Sequence, residues 1–250
     1  MSADPATLDA SGMQYPAAPD GFTIYVVGDV HGCLDPLVRV QRLIDEDRTR
    51  SHLERTAEIY LGDYIDRGPD SAGVVSTLIA RARDANAVFL RGNHDQMLLD
   101  FLDGADCLEP WRELGGTATL LSYGVAASLL TRSAPTEVVR AALNENMPPE
   151  HRVFYDQTGS YMQVGPYLMV HAGIRPGVGL EDQKTDDLLG IRQDFLQYDG
   201  DFDFIVVHGH TPVEVPELRR NRINIDTGAF ATNRLTCLRI GEDGVRLLGE

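Results

Sequence analysis

Five short motifs in this sequence combine glycine with side chains that bind metal ions or transfer protons. In chain order they are Gly28-Asp29-Val30-His31-Gly32, Gly62-Asp63-Tyr64-Ile65-Asp66-Arg67-Gly68, Gly92-Asn93-His94-Asp95, His171-Ala172-Gly173 and His208-Gly209-His210-Thr211. Each motif follows an apolar run that has the features of a β-strand. Loops at the carboxyl ends of strands form the ligand crevice of open α/β sheets, so motifs that are distant in sequence can meet. The sequence therefore predicts one polar site built from five loops.

The side chains in these motifs favour a site for two metal ions. Oxygen and imidazole donors, with no thiolate among them, are supplied by Asp29, His31, Asp63, Asn93, His171 and His210. This donor set suits Mn, Fe or Zn, and a carboxylate such as Asp63 can bridge two ions. Asp29 and His31 are two residues apart in an extended segment, so both face one cation. Two cations about 3.5–4 Å apart would hold a hydroxide for in-line attack on phosphorus.

Other residues of the motifs suit the remaining steps of a phosphoester hydrolysis. The guanidinium groups of Arg67 and Arg192 match phosphoryl oxygens in a bidentate geometry. The leaving oxygen needs a proton, and His94 is the predicted general acid. A carboxylate such as Asp66 beside His94 would favour the imidazolium and fix its orientation.

Strands that alternate with helices are predicted in the first half of the chain. Apolar runs at 22–27, 57–61 and 87–90 are followed by helical spacing at 34–47, 71–83 and 94–102. This alternation indicates βαβ units with parallel strands. A helical insertion is predicted around 105–147, where Pro148 and Pro149 end the helical pattern.

The second half of the chain predicts short strands separated by Gly, Pro or Asn turns. We expect them at 152–158, 161–164, 167–171, 204–207, 222–226, 234–240 and 245–248, with largely antiparallel pairing. The fold class is therefore α/β (α+β), with mixed sheets and helices outside. Residues 1–20 are rich in Ala, Pro, Ser and Asp and are predicted to form a flexible leader.

Bulk composition excludes several classes of function. The net charge of −16, with only 22 Lys and Arg, argues against a nucleic-acid binder. No apolar run approaches the length that spans a bilayer, and the start has no signal-peptide pattern. Three widely spaced cysteines suggest neither a disulfide framework nor a thiolate zinc site, so a reducing cytoplasm fits best. The composition makes no prediction of oligomeric state.

Taken together, the five motifs resemble those of calcineurin-like metallophosphoesterases, and specifically the bacterial and phage branch of the PPP-type serine/threonine protein phosphatases. The resemblance runs from Phe22 to about Asp226. It implies a β-sandwich of mixed sheets flanked by helices, forming a single domain over 21–250. It also implies two divalent cations, Mn²⁺ with Fe or Zn as alternatives.

The resemblance assigns roles to individual residues. It implies a first metal site from Asp29, His31 and Asp63. It implies a second metal site from Asp63, Asn93, His171 and His210. Phosphate contacts are implied for Arg67, Asn93 and Arg192, with His94 as the acid supported by Asp66.

Three functions remain open from the sequence. The Asp66-Arg67 pair favours a phosphatase of phosphoserine and phosphothreonine proteins, with phosphotyrosine and small monoesters as further substrates. Asp95 stands where most eukaryotic PPP enzymes have Glu, and symmetrical diadenosine tetraphosphate hydrolases share this Asp, which favours a nucleotide hydrolase. The third alternative is a catalytically inactive metal-binding scaffold. We interpret His208 and Cys33 as packing residues and Arg91 as a loop-holding residue.

Overall fold

Two five-stranded sheets form the centre of the computed structural model, which describes residues 15–19, 21–53 and 55–249. The first sheet has the order β10-β9-β1-β2-β3, and the second has the order β4-β5-β6-β8-β7. The strands are β1 (Thr23–Val27), β2 (Thr56–Tyr60), β3 (Ala87–Phe89), β4 (Tyr161–Val164), β5 (Tyr167–Val170), β6 (Ile205–His208), β7 (Glu217–Leu218), β8 (Arg222–Asn224), β9 (Cys237–Gly241) and β10 (Gly244–Leu247).

The predicted βαβ units of the first half are present. Strands β1, β2 and β3 pair in parallel. The helices that follow them are α1 (Leu34–Arg50), α2 (Ser71–Asp84) and α3 (Asn93–Leu102). In the second half, β4–β5 and β9–β10 are antiparallel, as predicted, and β7, which was not predicted, pairs antiparallel with β8. The pairs β5–β6 and β6–β8 are parallel instead, because the chain crosses over outside the sheet before each of these strands.

Alternation along the strands sorts the apolar side chains into separate cores. On β1, Ile24 and Val26 pack in the core between the two sheets, whereas Tyr25 and Val27 pack against the helices. On β5, Leu168 packs with helices on the outer face of the second sheet. Successive side chains of a strand point to opposite faces, so strands covered on both faces must be apolar throughout. The predicted sandwich of mixed sheets flanked by helices is confirmed.

Helices occupy the predicted insertion and continue beyond it. They are α4 (Leu108–Glu113), α5 (Gly116–Ser122), a 3-10 helix (Ala127–Leu129), α6 (Thr136–Asn146) and α7 (Pro149–Asp156). The prediction of a strand at 152–158 was wrong. Pro149 begins α7 because proline suits the first turn of a helix, which needs no N–H donor there. The buried side chains of α7 are His151, Phe154 and Tyr155, and this spacing of three and four is helical.

Short elements complete the second half. They are a 3-10 helix (Leu180–Asp182), α8 (Thr185–Gly190), α9 (Gln193–Leu196) and α10 (Ala229–Thr232). Of the predicted leader, residues 1–14 and 20 lie outside the described residues. Residues 15–19 pack on the sheets: Ala18 is buried and donates its N–H to Gly241, and the Pro16 carbonyl accepts the Tyr167 hydroxyl. Across the described ranges, no helix has the length and apolar character needed to cross a bilayer.

A buried ion pair network attaches α1 to the first sheet. The Asp47 carboxylate accepts hydrogen bonds from the Tyr25 hydroxyl at 2.7 Å, from Arg239 at 3.0 Å and from Arg246 at 2.5 Å. Burial alone would raise the pKa of Asp47, but Tyr25 and Arg246 outweigh it and lower that pKa. One helix residue is thereby bonded to three strands, β1, β9 and β10.

Replacing Asp47 by Ala should lower the free energy of unfolding by about 3–5 kcal/mol at neutral pH, because the buried guanidinium of Arg239 loses its buried partner and keeps only the half-exposed Asp243. The effect should shrink as the pH falls below about 4, since a carboxylate with a lowered pKa stabilises only above the pKa of the unfolded chain. Asp243→Ala removes a half-exposed partner of the same Arg239 and should cost less than about 1 kcal/mol. Urea unfolding measures both, and equal losses would contradict the network.

Candidate active site

The Asp63 carboxylate lies at the point where the motif loops meet. Its Oδ2 is 3.5 Å from Nε2 of His31, and its Oδ1 is 3.5 Å from Nε2 of His171. The backbone N–H of His94, in the first turn of α3, donates to Oδ1 at 3.0 Å. The N-terminus of a helix favours a negative charge, so α3 stabilises this buried carboxylate. Residues of three predicted motifs thus surround one side chain.

Two groups of potential metal ligands share Asp63. One group joins Asp63 to His171 and His210, and the other joins it to His31 and His94. The Asn93 Oδ1 belongs with the first group, at 3.1 Å from His171 Nε2 and 2.8 Å from His210 Nδ1.

Asp29 lies beside these groups and contacts the same loops. Its Oδ2 accepts the backbone N–H of His210 at 3.0 Å. The structure therefore brings all six predicted ligands to one place. In the ligand group around His31, however, it puts His94 where the sequence predicted Asp29. Ligation by Asp29 stays a prediction.

The unpaired atoms of the site fit divalent cations. Asp29 Oδ1 and His210 Nε2 are buried, and neither has a hydrogen-bond partner among the residues that the structure describes. An unpaired buried polar atom is costly, so each of these two atoms suits a metal ion held together with its neighbours. Burial lowers the pKa of His31 and that of His210 to about 3, which leaves both imidazoles neutral. The neutral ring is the form that binds a metal.

Excess negative charge gives a second reason for cations. Burial, and then the charges of Asp226 and Asp63, raise the pKa of Asp29 well above its usual range. Burial also raises the pKa of Asp226 to about 6 and that of Asp95 to about 8. Carboxylates crowded in a buried site repel one another unless protons or positive ions compensate them. Two divalent cations would supply that compensation.

Asp226 was missed in the sequence. It follows β8 within Asp226-Thr227-Gly228, is buried, and accepts the backbone N–H of Gly228 at 2.9 Å. The available signal was weak: an acidic residue near a glycine at the end of the strand predicted at 222–226, without the Gly-Asp order of the first two motifs. Asp95 has a different task. Its carboxylate accepts N–H groups of Gly92, Asp63 and Tyr64, and so ties the third motif loop to the second.

The backbone at the site is held in an unusual conformation. Five non-glycine residues have left-handed φ angles, namely His31 (+46°), Asp63 (+50°), Asp66 (+72°), Arg67 (+66°) and His210 (+65°). This region costs an L-residue roughly 1–2 kcal/mol each, and such strain accumulates at functional sites. The motif glycines allow the close contacts that hold these loops together. A Cβ on Gly209 would lie 2.0 Å from Asp29 Oδ1, and one on Gly92 would lie 2.1 Å from Asp63 Oδ1.

His94 and Asp66 form a buried pair. Their Nδ1 and Oδ2 atoms are 2.6 Å apart, and since the carboxylate can only accept, the imidazole Nδ1–H donates. Burial lowers the pKa of His94, but Asp63 and the hydrogen bond to Asp66 outweigh burial and raise it. The opposite ring nitrogen, Nε2, faces the guanidinium of Arg67 at 3.0 Å. This geometry is the one predicted for a general acid held by a carboxylate.

Two arginines border the ligand groups. Arg67 also reaches His31 Nε2 at 2.9 Å, and its guanidinium stacks on the half-exposed ring of Phe230 at 4.7 Å. Arg192 is exposed at the start of α9, and its charge contributes to lowering the pKa values of His171 and His210. Phe230 is a further site residue that sequence reasoning did not identify, because a lone aromatic carries no motif.

Three residues with open roles lie apart from the ligand groups. His208 is fully buried with its ring edge-on to Phe195 at 4.9 Å, which favours packing. Burial raises the pKa of the Cys33 thiol to about 11, which disfavours reactivity. Arg91 donates to Thr158 and to the Tyr155 carbonyl, so it holds its loop.

The chain belongs to the calcineurin-like phosphoesterase family, whose family model matches residues 22–241. This agrees with the predicted superfamily and establishes a phosphoesterase that uses divalent metal ions as the class of protein.

Curated relatives cover most of the chain. A protein of Bacillus velezensis is 31% identical over 241 residues, which span 87% of this chain and 88% of the relative. A protein of Oceanobacillus iheyensis is 28% identical over 240 residues, spanning 88% and 89%. Both are named bis(5'-nucleosyl)-tetraphosphatase PrpE (asymmetrical).

Solved structures share the fold. One provisionally assigned as a diadenosine tetraphosphatase has a TM-score of 0.61 and 17% identity, covering 94% of this chain and 98% of its own. The cold-active protein-tyrosine phosphatase of a Shewanella species has a TM-score of 0.54 and 16% identity, covering 93% and 83%.

Replacing Asp63 by Asn should abolish tight binding of both metal ions, because the only carboxylate common to the two ligand groups loses its charge. Metal content after Mn²⁺ loading and desalting, measured by mass spectrometry, checks this. His208→Gln is the matched control, because His208 lies two residues before His210, at the end of β6, but outside both ligand groups. This variant should retain both ions. Two ions bound to Asp63→Asn would contradict the shared ligand.

Proposed function

We propose that this phosphoesterase hydrolyses dinucleoside tetraphosphates, splitting the phosphate chain asymmetrically into a nucleoside triphosphate and a nucleoside monophosphate. The observation that carries the phosphoester chemistry is the position of Arg67, whose guanidinium lies within 3.0 Å of both His31 and His94. The Arg67 guanidinium, which is suited to bind phosphate, thereby contacts both a predicted metal ligand and the predicted general acid. The names of the relatives that align over 87–88% of the chain support this substrate class.

The ligand residues and the arginines have separate tasks in this proposal. Two divalent cations, with Mn²⁺ as the preferred ion, are held by six residues: Asp29, His31, Asp63, Asn93, His171 and His210. When bound, these ions lower the pKa of water and neutralise charge on the phosphoryl group. Arg67 and Arg192 bind the phosphoryl oxygens through their planar N–H groups. The ring of Phe230 stacks on the Arg67 guanidinium at 4.7 Å and stabilises this cation beside the ligand groups.

His94 delivers the proton to the leaving oxygen. Its Nδ1–H is committed to Asp66, so Nε2 is the atom that carries the transferable proton. In the structure Nε2 accepts an N–H of Arg67. When the guanidinium turns to a phosphoryl group, Nε2 is released to hold a proton. Binding of the phosphate and protonation of the acid are therefore linked.

A protein phosphatase is the second candidate, and the Asp66–His94 pair favours it. The alkoxide that leaves a phosphoserine or phosphothreonine is strongly basic and needs a proton in the transition state. The phosphate oxygen that leaves a phosphoanhydride is far less basic, with a pKa of about 6. A general acid oriented by a carboxylate therefore accelerates the hydrolysis of phosphomonoesters more than that of phosphoanhydrides.

Hydrolysis of diadenosine tetraphosphate and of a phosphothreonine peptide by the Mn²⁺-loaded protein separates the candidates. We expect the larger kcat/KM for the dinucleotide, with ATP and AMP as products by chromatography. A larger kcat/KM for the peptide would overturn the dinucleotide proposal in favour of the protein phosphatase. No hydrolysis of either substrate, at full metal content, would favour the catalytically inactive metal-binding scaffold.

Replacing His94 by Asn should lower kcat on a phosphomonoester by about 10²–10⁴-fold, because the leaving alkoxide loses its proton donor. The decrease on the dinucleotide should be smaller, since its leaving oxygen is less basic. Steady-state kinetics on both substrates, with metal content confirmed, checks this. An unchanged rate on the monoester would contradict the acid role of His94.

A further inference from the structure

The helical insertion contacts the acid pair directly. The Asp66 carboxylate is fully buried and accepts side-chain hydrogen bonds from three residues, two of which lie on α4 and α5. Thr119 Oγ1 is 2.5 Å from Oδ1, and Trp111 Nε1 is 3.1 Å from Oδ1 and 3.0 Å from Oδ2. His94 Nδ1 is the third donor, at 2.6 Å from Oδ2. The insertion therefore supplies two of the three side-chain donors that face this carboxylate.

The Thr119 hydroxyl is saturated in an arrangement that only a hydroxyl permits. It has one proton, which goes to Asp66 Oδ1, and two lone pairs. The lone pairs face the backbone N–H of Asp66 at 3.0 Å and the Ser71 hydroxyl at 3.1 Å. One atom of α5 thereby holds both the backbone and the side chain of Asp66, whose left-handed φ of +72° needs such support.

Trp111 is fixed as firmly as Thr119. It is fully buried, its ring packs on Phe101 at 5.1 Å, and a Cβ on Gly116 would lie 2.6 Å from the indole. The indole cannot shift without displacing α5. Its N–H reaches both carboxylate oxygens and so opposes rotation of the carboxylate about its bond to Cβ.

We propose that Thr119 and Trp111 are positioning residues for His94, and that the helical insertion serves to orient the Asp66 carboxylate. The proposal rests on the phosphoesterase function proposed above. With both donors in place, Oδ2 points at Nδ1 of His94, which keeps Nε2 directed at the leaving oxygen. Without them the carboxylate can turn, and the ring loses the partner that fixes its tautomer and orientation. If Thr119 and Trp111 only attached the insertion to the rest of the fold, replacing them would lower stability and leave proton donation by His94 intact.

Aryl phosphates with leaving groups of increasing basicity distinguish the two roles, because only the basic leaving groups need the acid. Thr119→Val removes the hydroxyl and keeps the shape, and Trp111→Phe removes the N–H and keeps most of the ring. For each variant we expect kcat on phenyl phosphate to fall about 10-fold to 100-fold, as for loss of a hydrogen bond to a charged group. The decrease on p-nitrophenyl phosphate should be much smaller, and KM should change little. Thr119→Ser should restore the wild-type dependence.

Tyr123→Phe is the matched control. The Tyr123 hydroxyl makes a buried hydrogen bond of 2.8 Å to His151 at the end of α5, without contact to Asp66. Its loss should destabilise the insertion to a similar degree and leave the dependence on the leaving group unchanged. Thermal unfolding and metal content of all variants show that they are folded and loaded. If Thr119→Val does not fold, Trp111→Phe tests the same donor set.

A spectroscopic measurement tests the geometry without turnover. Trp111 is the only tryptophan of the chain, so ¹⁵N-labelled protein gives a single indole N–H signal. We expect this signal to be protected from hydrogen exchange, to shift strongly in Asp66→Asn and in Thr119→Val, and to stay in place in Tyr123→Phe. A rapidly exchanging signal, or one that Asp66→Asn does not move, would overturn the proposal.

The kinetic outcomes separate this proposal from the function on which it rests. Failure of the Mn²⁺-loaded wild type to hydrolyse any aryl phosphate or dinucleotide would contradict the proposed function. Wild-type hydrolysis together with an unaltered leaving-group dependence in Thr119→Val and Trp111→Phe would overturn the positioning role alone.

Discussion

Concentrated negative charge in a buried space is the constraint on which this structure depends. Asp29, Asp63 and Asp226 are each at most 2% exposed. Burial, together with the charge of Asp63, raises the pKa of Asp29 and that of Asp226. A protein interior does not hold such a group of carboxylates without positive partners. The neutral imidazoles add no positive charge, and the two nearby arginines offset only part of the negative charge. Divalent cations would complete the balance, and the remaining features of the site fit the need to hold their ligands.

The fold holds these ligands on loops whose backbone is locally strained. Parallel strands bring the loops after β1, β2 and β3 to one edge of the first sheet, and the loops after β5, β6 and β8 reach the same place from the second sheet. Left-handed backbone at residues such as His31 and Asp63 aims the ligands inward. The fold tolerates this strain because apolar cores on both faces of each sheet fix the strand ends.

Much of this arrangement was predictable from the sequence because the motifs are local. A Gly-Asp or Gly-Asn directly after an apolar strand identifies three strand-end loops, and glycine beside histidine identifies two more. These five loops in order were enough to predict the convergence around Asp63. The strand predicted at 152–158 failed because a short apolar stretch has no clear period and Pro149 was interpreted as an end rather than a beginning. The contacts of Trp111 and Thr119 with Asp66 were beyond prediction. They span 45 and 53 residues and depend on how α4 and α5 pack, which no local pattern encodes.

The residues of the site do not by themselves determine the substrate. Ligand groups, arginines and acid suit any phosphate ester or anhydride, so the dinucleotide assignment draws on relatives and the monoester alternative on the His94 pair. Both assume paired ions around Asp63. A crystal structure of the Mn²⁺-loaded protein, with anomalous data collected at the Mn edge, tests that assumption most directly. The account predicts two anomalous peaks, one on each side of the Asp63 carboxylate, with His31 near one and His171 and His210 near the other. A single peak, or peaks that do not contact Asp63, would contradict it.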